Sequence, residues 1–306
     1  MTLTDTQPLI PIKRAKDEGA RLGFRLTLPA QLLVLFIAVF PLLMQLYISL
    51  TDWSPLSGAS WPQAWQFWNS FANYSEMIAD KRLWSALGRT LFIIAICVPI
   101  EFLLGLGLAT LFVDDFPGKR VAYSILIAPM MVVPAVAGYM FFMLFQSGGP
   151  VNDILSWFTL DPVAIAWLSD RHLALVAVMV TDIWQWTPLM FLILLAGLVG
   201  VPADQLKAAA LLGASPWQRF RTIVIPRMKT IIIIALAIRV IECFKIFDTL
   251  FIMTGGGPGV ATETISVYIY KVTTNDLIWG YVAAIALAIL IVLSIGAVWA
   301  MKRLAR

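Results

Sequence analysis

An all-α integral membrane fold with six transmembrane helices is predicted by three observations: an apolar composition, six apolar runs of spanning length, and positive charge gathered on alternate connecting segments. Hydrophobic residues make up 60% of the 306-residue chain and charged residues 13%, with a mean hydropathy of +0.85. A soluble domain is usually about one quarter charged. A helix rising about 1.5 Å per residue needs about 20 residues to cross about 30 Å of hydrocarbon. Runs of that length fall at residues 26–50, 85–113, 121–146, 173–200, 230–254 and 280–301.

Lysine and arginine next to spans are retained on the cytoplasmic side of a membrane. With the N-terminus inside, the inner segments hold Lys13, Arg14, Arg25, Lys119, Arg120, Lys207, Arg219, Arg221, Arg227, Lys229 and Lys302, among others. The outer segments hold only Lys81, Arg82, Arg171 and Lys271. Both termini are therefore expected in the cytoplasm, and the net charge of +4 reflects topology rather than a nucleic-acid partner.

Taken in order, residues 1–25 form a polar cytoplasmic segment. The apolar run after them is too long for a signal-peptide core and no small-residue cleavage site is in view, so the segment is expected to stay attached. Residues 26–306 are read as one transmembrane domain. The outer loop 51–84 is rich in tryptophan, with Trp53, Trp61, Trp65, Trp68 and Trp84. Such residues suit a belt at the headgroup level; a surface receiving a soluble protein is the alternative. Asp114–Arg120, with Pro117 and Gly118, reads as a turn between antiparallel helices.

Several chemistries are excluded. Cys97 and Cys243 both fall inside spans, which leaves no disulfide framework or thiolate zinc site. His172 is the single histidine, so histidine-based metal binding or catalysis is also excluded. Gly255-Gly256-Gly257-Pro258 lacks the lysine and serine or threonine of a phosphate loop, and reads instead as a flexible outer turn near a gate. The chain is therefore expected not to be an enzyme, and to hold no metal or cofactor.

Three spans carry polar groups that are costly in hydrocarbon, by about 2.5 kcal/mol or more each. The fourth contains Asp182, Gln185 and Trp186 before Pro188. Carboxylates and amides suit hydroxyl groups, and indole faces suit the apolar side of a sugar ring. The fifth contains Arg239, Glu242, Lys245 and Asp248 at intervals of three. On one helix these read either as a self-neutralising ladder, with Glu242 the simplest partner for Arg239, or as a polar wall along a translocation path. Glu101 and Arg89 in the second span read as interhelix polar contacts. Tyr139 in the third span is a candidate lining residue.

Between the fourth and fifth spans lies a polar interruption, 201–229. Asp204 is placed to cap a short helix whose Leu206, Ala209, Ala210 and Gly213 share a face. Gly213 can end that helix in the left-handed region. Ser215-Pro216-Trp217-Gln218 has the form of a capping box with proline at the first helical position, and a second short helix should follow. Pro226 should break the pattern before the fifth span. The pair reads as a rigid lever docking to a partner; an ordinary surface loop is the alternative.

Here the chain resembles the permease subunits of maltose-type, binding-protein-dependent ATP-binding cassette sugar importers. The resemblance rests on Lys207-Ala208-Ala209, Gly213 four residues on, and Ile225-Pro226 about a dozen further. It extends into Thr254-Gly255-Gly256-Gly257-Pro258-Gly259, similar to a Thr-Gly-Gly-Pro stretch of that family. Two residues depart from the pattern: Lys207 stands where the family has an acid, and Leu212 where an aspartate is common.

The resemblance implies a type I ABC importer permease fold in a bacterial inner membrane. It implies coupling to an ATPase through Lys207, Ala208, Ala209, Gly213, Ala214, Ser215 and Trp217. By register it implies sugar contacts at Asp182, Gln185, Trp186 and Leu189, facing Arg239, Glu242, Cys243 and Ile246. Implied partners are a second similar permease, two ATPase subunits that bind ATP and magnesium, an external solute-binding protein, a sugar, polyol or glycoside, and membrane lipids. The rival expectation is a proton-driven secondary transporter using Asp182, Glu101 or Glu242.

Overall fold

A computed structural model describes residues 12–304, which are helical throughout apart from turns and one isolated antiparallel bridge, Thr51 to Trp68. Residues 1–11 of the predicted N-terminal segment lie outside the described residues. The chain divides into two units: the residues up to Tyr74 with Trp279–Leu287, and Ser75–Ile278 with the residues from Ala288 onward.

In the first unit, α1 runs from Ile12 to Ser49 and from Phe24 onward exposes leucine and phenylalanine, including Leu32, Leu35, Phe36 and Leu43. A helix that is apolar all round belongs in lipid or a large core. The loop after it is folded against the end of α1. Asn73 donates to the Ser49 and Thr51 carbonyls, both at 2.9 Å, and Ser49 meets the Tyr74 hydroxyl at 2.8 Å. Trp53 is buried, edge-on to Trp279 at 5.7 Å. Trp61, Trp65 and Trp68 stay exposed, as an interfacial belt requires.

The second unit begins in α2 (Ala72–Ala79) and continues through α3 (Lys81–Leu111), α4 (Lys119–Met131), α5 (Pro134–Leu144), α6 (Pro150–Thr159) and α7 (Arg171–Val199). There follow α8 (Ala203–Leu211), α9 (Pro216–Arg219), α10 (Ile225–Phe244), α11 (Asp248–Thr254) and α12 (Ile265–Lys271). The last helix, α13, spans Trp279–Leu304 and is divided between the units. Asp80 and Asp170 cap α3 and α7, each accepting two backbone N–H bonds. At Asp170 those bonds hold the carboxyl below its ordinary range.

Of the six predicted spans, four are single apolar helices of sufficient length: 23–49, 81–111, 171–199 and 279–299. The other two are broken. The third predicted span, 121–146, is two helices, α4 and α5, meeting at 96°. Pro134 has no N–H and drives Val133 out of the helical region, to ψ 134°. Carbonyls at the break accept from side chains of other helices: Gln185 donates to Val132 at 2.9 Å and Thr249 to Pro134 at 3.1 Å. Such satisfaction is what permits irregular backbone at membrane depth.

The fifth predicted span, 230–254, stops at Phe244 and resumes as α11. The expected single-helix ladder is thereby corrected, because Lys245 is the C-cap of α10 and Asp248 opens the next helix. Helices α3 and α7 approach closely where they cross. A side chain at Gly105 would lie 2.8 Å from Met190 Cβ and 2.9 Å from the Phe191 nitrogen, so only glycine admits that approach. A cluster of Ala109, Phe112, Phe191, Leu194, Leu198, Val224 and Met228 carries the packing on to the 201–229 loop.

Candidate functional site

Three elements meet at the centre of the second unit. Arg239 of α10 is 1% exposed, Glu101 of α3 is 0% and Asp182 of α7 is 3%. Arg239 clamps Glu101 with two parallel bonds, Nε to Oε2 at 2.5 Å and Nη2 to Oε1 at 2.8 Å. Its Nη2 also donates to Asp182 Oδ2. The Cys243 thiol points at the same Asp182 oxygen at 3.8 Å. The expected pairing of Arg239 with Glu242 is therefore corrected: Glu242 instead pairs with Lys245 at 2.9 Å. Glu101 makes the interhelix contact that its isolation in an apolar span predicted, and its partner became visible only when α3 and α10 packed.

Beside this cluster, the break after α10 opens a cavity of about 150 Å³ lined by Pro134, Asp182, Trp186, Glu242, Lys245, Ile246, Phe247, Asp248 and Thr249. Trp186 lies over the Arg239 guanidinium at 5.3 Å, a cation–π contact that fixes the indole. Of the predicted lining residues, the structure brings Asp182, Trp186, Glu242 and Ile246 to this one cavity. Cys243 is fully buried behind it. Gln185 is 2% exposed and engaged with Val132, and Leu189 does not line the cavity. Tyr139 is 60% exposed and lies in a separate groove of about 430 Å³ with Phe142, Met143 and Gln146. Sequence reasoning missed Pro134, Phe247 and Thr249, because two helix breaks bring them there.

The 201–229 loop forms as a rigid corner. The N-cap of α8 is Pro202, with Asp204 in the first turn rather than at the cap. Gly213 has φ +85°, and the bonds Gly213 N to Ala210 O and Ala214 N to Ala209 O, both 3.0 Å, close the helix end. Ser215 and Gln218 make the reciprocal capping box, at 3.2 and 2.7 Å. Contrary to expectation, Pro226 does not break the chain. The second short helix runs on through one π-turn, Phe220–Val224, and Pro226 sits in the first turn of α10, where a missing N–H is tolerated.

Leu206 and Phe220 face the apolar cluster. The outward surface shows Lys207, Ala208 and Gly213, with Leu211 90%, Leu212 88% and Trp217 68% exposed. Far from this loop in sequence, the glycine-rich turn after α11 is tied rather than flexible. Thr262 bonds Thr254 at 2.7 Å and the Gly257 carbonyl at 2.8 Å. Glu263 is buried beneath Arg82 at 2.8 Å, Lys271 at 3.2 Å and Arg89 at 3.7 Å. Burial alone would push the Glu263 carboxyl up, but the Arg82 bond and charge, with Lys271, hold it below the ordinary range.

Apolar helices of spanning length, helices broken at membrane depth and a polar cavity beside the break define a polytopic membrane protein built to pass a polar solute. The chain belongs to the family of binding-protein-dependent transport system inner membrane components, whose model matches residues 77–306. It is 33% identical over 309 residues to a probable ABC transporter permease of Sinorhizobium fredii, covering 99% of this chain and 98% of the relative. It is also 33% identical to the trehalose transport permease of Mycobacterium tuberculosis, covering 87% and 86%. A third relative at 33% is the sulfoquinovosyl glycerol transport permease of Agrobacterium fabrum, covering 94% and 91%. The fold is that of a bacterial ABC transporter involved in the import of the acidic polysaccharide alginate, with TM-score 0.79 and 17% identity, covering 96% of this chain and 99% of that one.

Proposed function

We propose that this chain is the membrane subunit of an ATP-driven importer for a sugar, polyol or glycoside, sited in a bacterial inner membrane with both termini in the cytoplasm. The observation that carries the reading is the cavity lined by Asp182, Trp186 and Glu242 in a chain of this family. Carboxylates there accept from hydroxyl groups, and the fixed indole offers a flat apolar face for a ring. Relatives that transport trehalose and sulfoquinovosyl glycerol support a solute of that class.

An external solute-binding protein delivers the solute, a second permease completes the path, and two separate subunits bind and hydrolyse ATP with magnesium. No cofactor belongs to this chain. The joint with the ATPase is the corner of α8 and α9, where Lys207, Ala208, Ala209, Gly213, Ala214, Ser215 and Trp217 present a capped, rigid surface. ATP binding draws two such corners together and turns the cavity from one side of the membrane to the other.

The test is uptake of labelled solute into vesicles holding the reconstituted subunits. Uptake should require internal ATP and the binding protein. Uptake by this chain alone under a proton gradient would overturn the reading in favour of a secondary transporter.

A further inference from the structure

Arg239 is the residue that would draw an anionic solute to this chain, and the structure removes it from reach. It is 1% exposed and holds two carboxylates, Glu101 and Asp182. The cavity wall itself presents three carboxylates, Asp182, Glu242 and Asp248, against one ammonium, Lys245. Asp182 is turned to Arg239, and Lys245 lies 2.9 Å from Glu242. Asp248, at the start of α11, is exposed and makes no ion pair among the described residues. The aromatic side chains on the same wall are Trp186 and Phe247.

Taking the importer reading as its basis, we propose that this wall selects solutes that carry no negative charge. A neutral polyhydroxylated ring or its amine-bearing counterpart is accepted, with Asp248 meeting a hydroxyl or ammonium hydrogen. Carboxylated, sulfonated and phosphorylated glycosides are rejected. An ionised carboxylate only accepts hydrogen bonds, so its partner must donate, as hydroxyl and ammonium groups do. An anionic group in the cavity would meet the like charge of Asp248, and the cation lining the wall, Lys245, is already paired with Glu242.

The experiment uses the complete importer in ATP-loaded vesicles with three probes: trehalose, its 2-amino derivative, and a glucuronic-acid-bearing disaccharide. Fluorescence titration of the binding protein with each probe normalises the rates for delivery. Normalised initial uptake of the neutral and amine-bearing probes should exceed that of the uronate by about tenfold or more. In Asp248→Lys the uronate rate should rise and the amine rate fall. In Asp248→Asn the ratio of amine to uronate uptake should fall towards one. Equal normalised uptake of uronate and trehalose by the wild type, or discrimination unmoved in both variants, overturns this proposal and leaves the importer reading standing. Absence of ATP-dependent uptake for all three probes overturns both.

Discussion

At the scale of single residues, two buried charge clusters are fixed by opposite needs. Arg239→Met would leave Glu101 and Asp182 buried without a cation. Removing one partner of a buried ion pair costs about 3–5 kcal/mol. The variant should unfold at a clearly lower temperature in detergent, and the triple variant Glu101→Gln, Asp182→Asn, Arg239→Met should recover most of the loss. Glu263 gives a pH-dependent prediction. Its carboxyl is held below the ordinary range in the fold, so its contribution is complete above an unfolded value of about 4.3 and lost as pH falls through the lower folded value. Wild type should exceed Glu263→Gln in unfolding midpoint at pH 7, and the gap should narrow below about pH 4. A gap constant with pH would show that the Glu263 charge contributes nothing.

At the scale of elements, the crossing of α3 and α7 and the 201–229 corner each depend on one glycine for different reasons. Gly105 is needed for space, since an added carbon would lie 2.8 Å from Met190 Cβ. Gly105→Ala should lower stability by about 1–3 kcal/mol. Gly107→Ala, with nothing within 4 Å, should be nearly neutral in the same melt. Gly213 has open space but φ +85°, which a branched residue resists by about 1–2 kcal/mol. Gly213→Val should therefore leave the protein folded yet uncouple ATP hydrolysis from uptake in the reconstituted importer; preserved coupling would refute the lever.

Legibility in the sequence followed the range of the interactions involved. The capping box of Ser215 and Gln218 and the left-handed Gly213 were readable, because their partners lie within a few residues. The apolar lengths of α1, α3, α7 and α13 were readable for the same reason. The break between α4 and α5 was not, although Pro134 marks it: a helix break at membrane depth is tolerated only if donors reach the carbonyls beside it. Those donors, Gln185 and Thr249, come from other helices.

At the scale of the whole molecule, the two helix breaks and the ion cluster form one assembly. Both breaks end at the cavity, and Trp186 spans from the cavity wall to Arg239. Trp186→Ala should cut uptake by more than about tenfold while the purified permease keeps its melting temperature and assembles with its partners. Unchanged uptake would remove this cavity from the solute path.

The sequence by itself determined that the chain is an all-α membrane protein of a transporter family, where four of its apolar helices run, and how Gly213 and the Ser215 capping box turn the 201–229 corner. Composition, periodicity and capping act through neighbours along the chain, so no tertiary information is needed to read them. Only the tertiary structure decided that Arg239 faces Glu101 and Asp182 rather than Glu242, that Gln185 closes a broken helix, and that Asp248 is the carboxylate left to the cavity. Those outcomes depend on which helices lie against one another and where two of them break, and a charge buried at such a junction takes the partner that packing brings within reach.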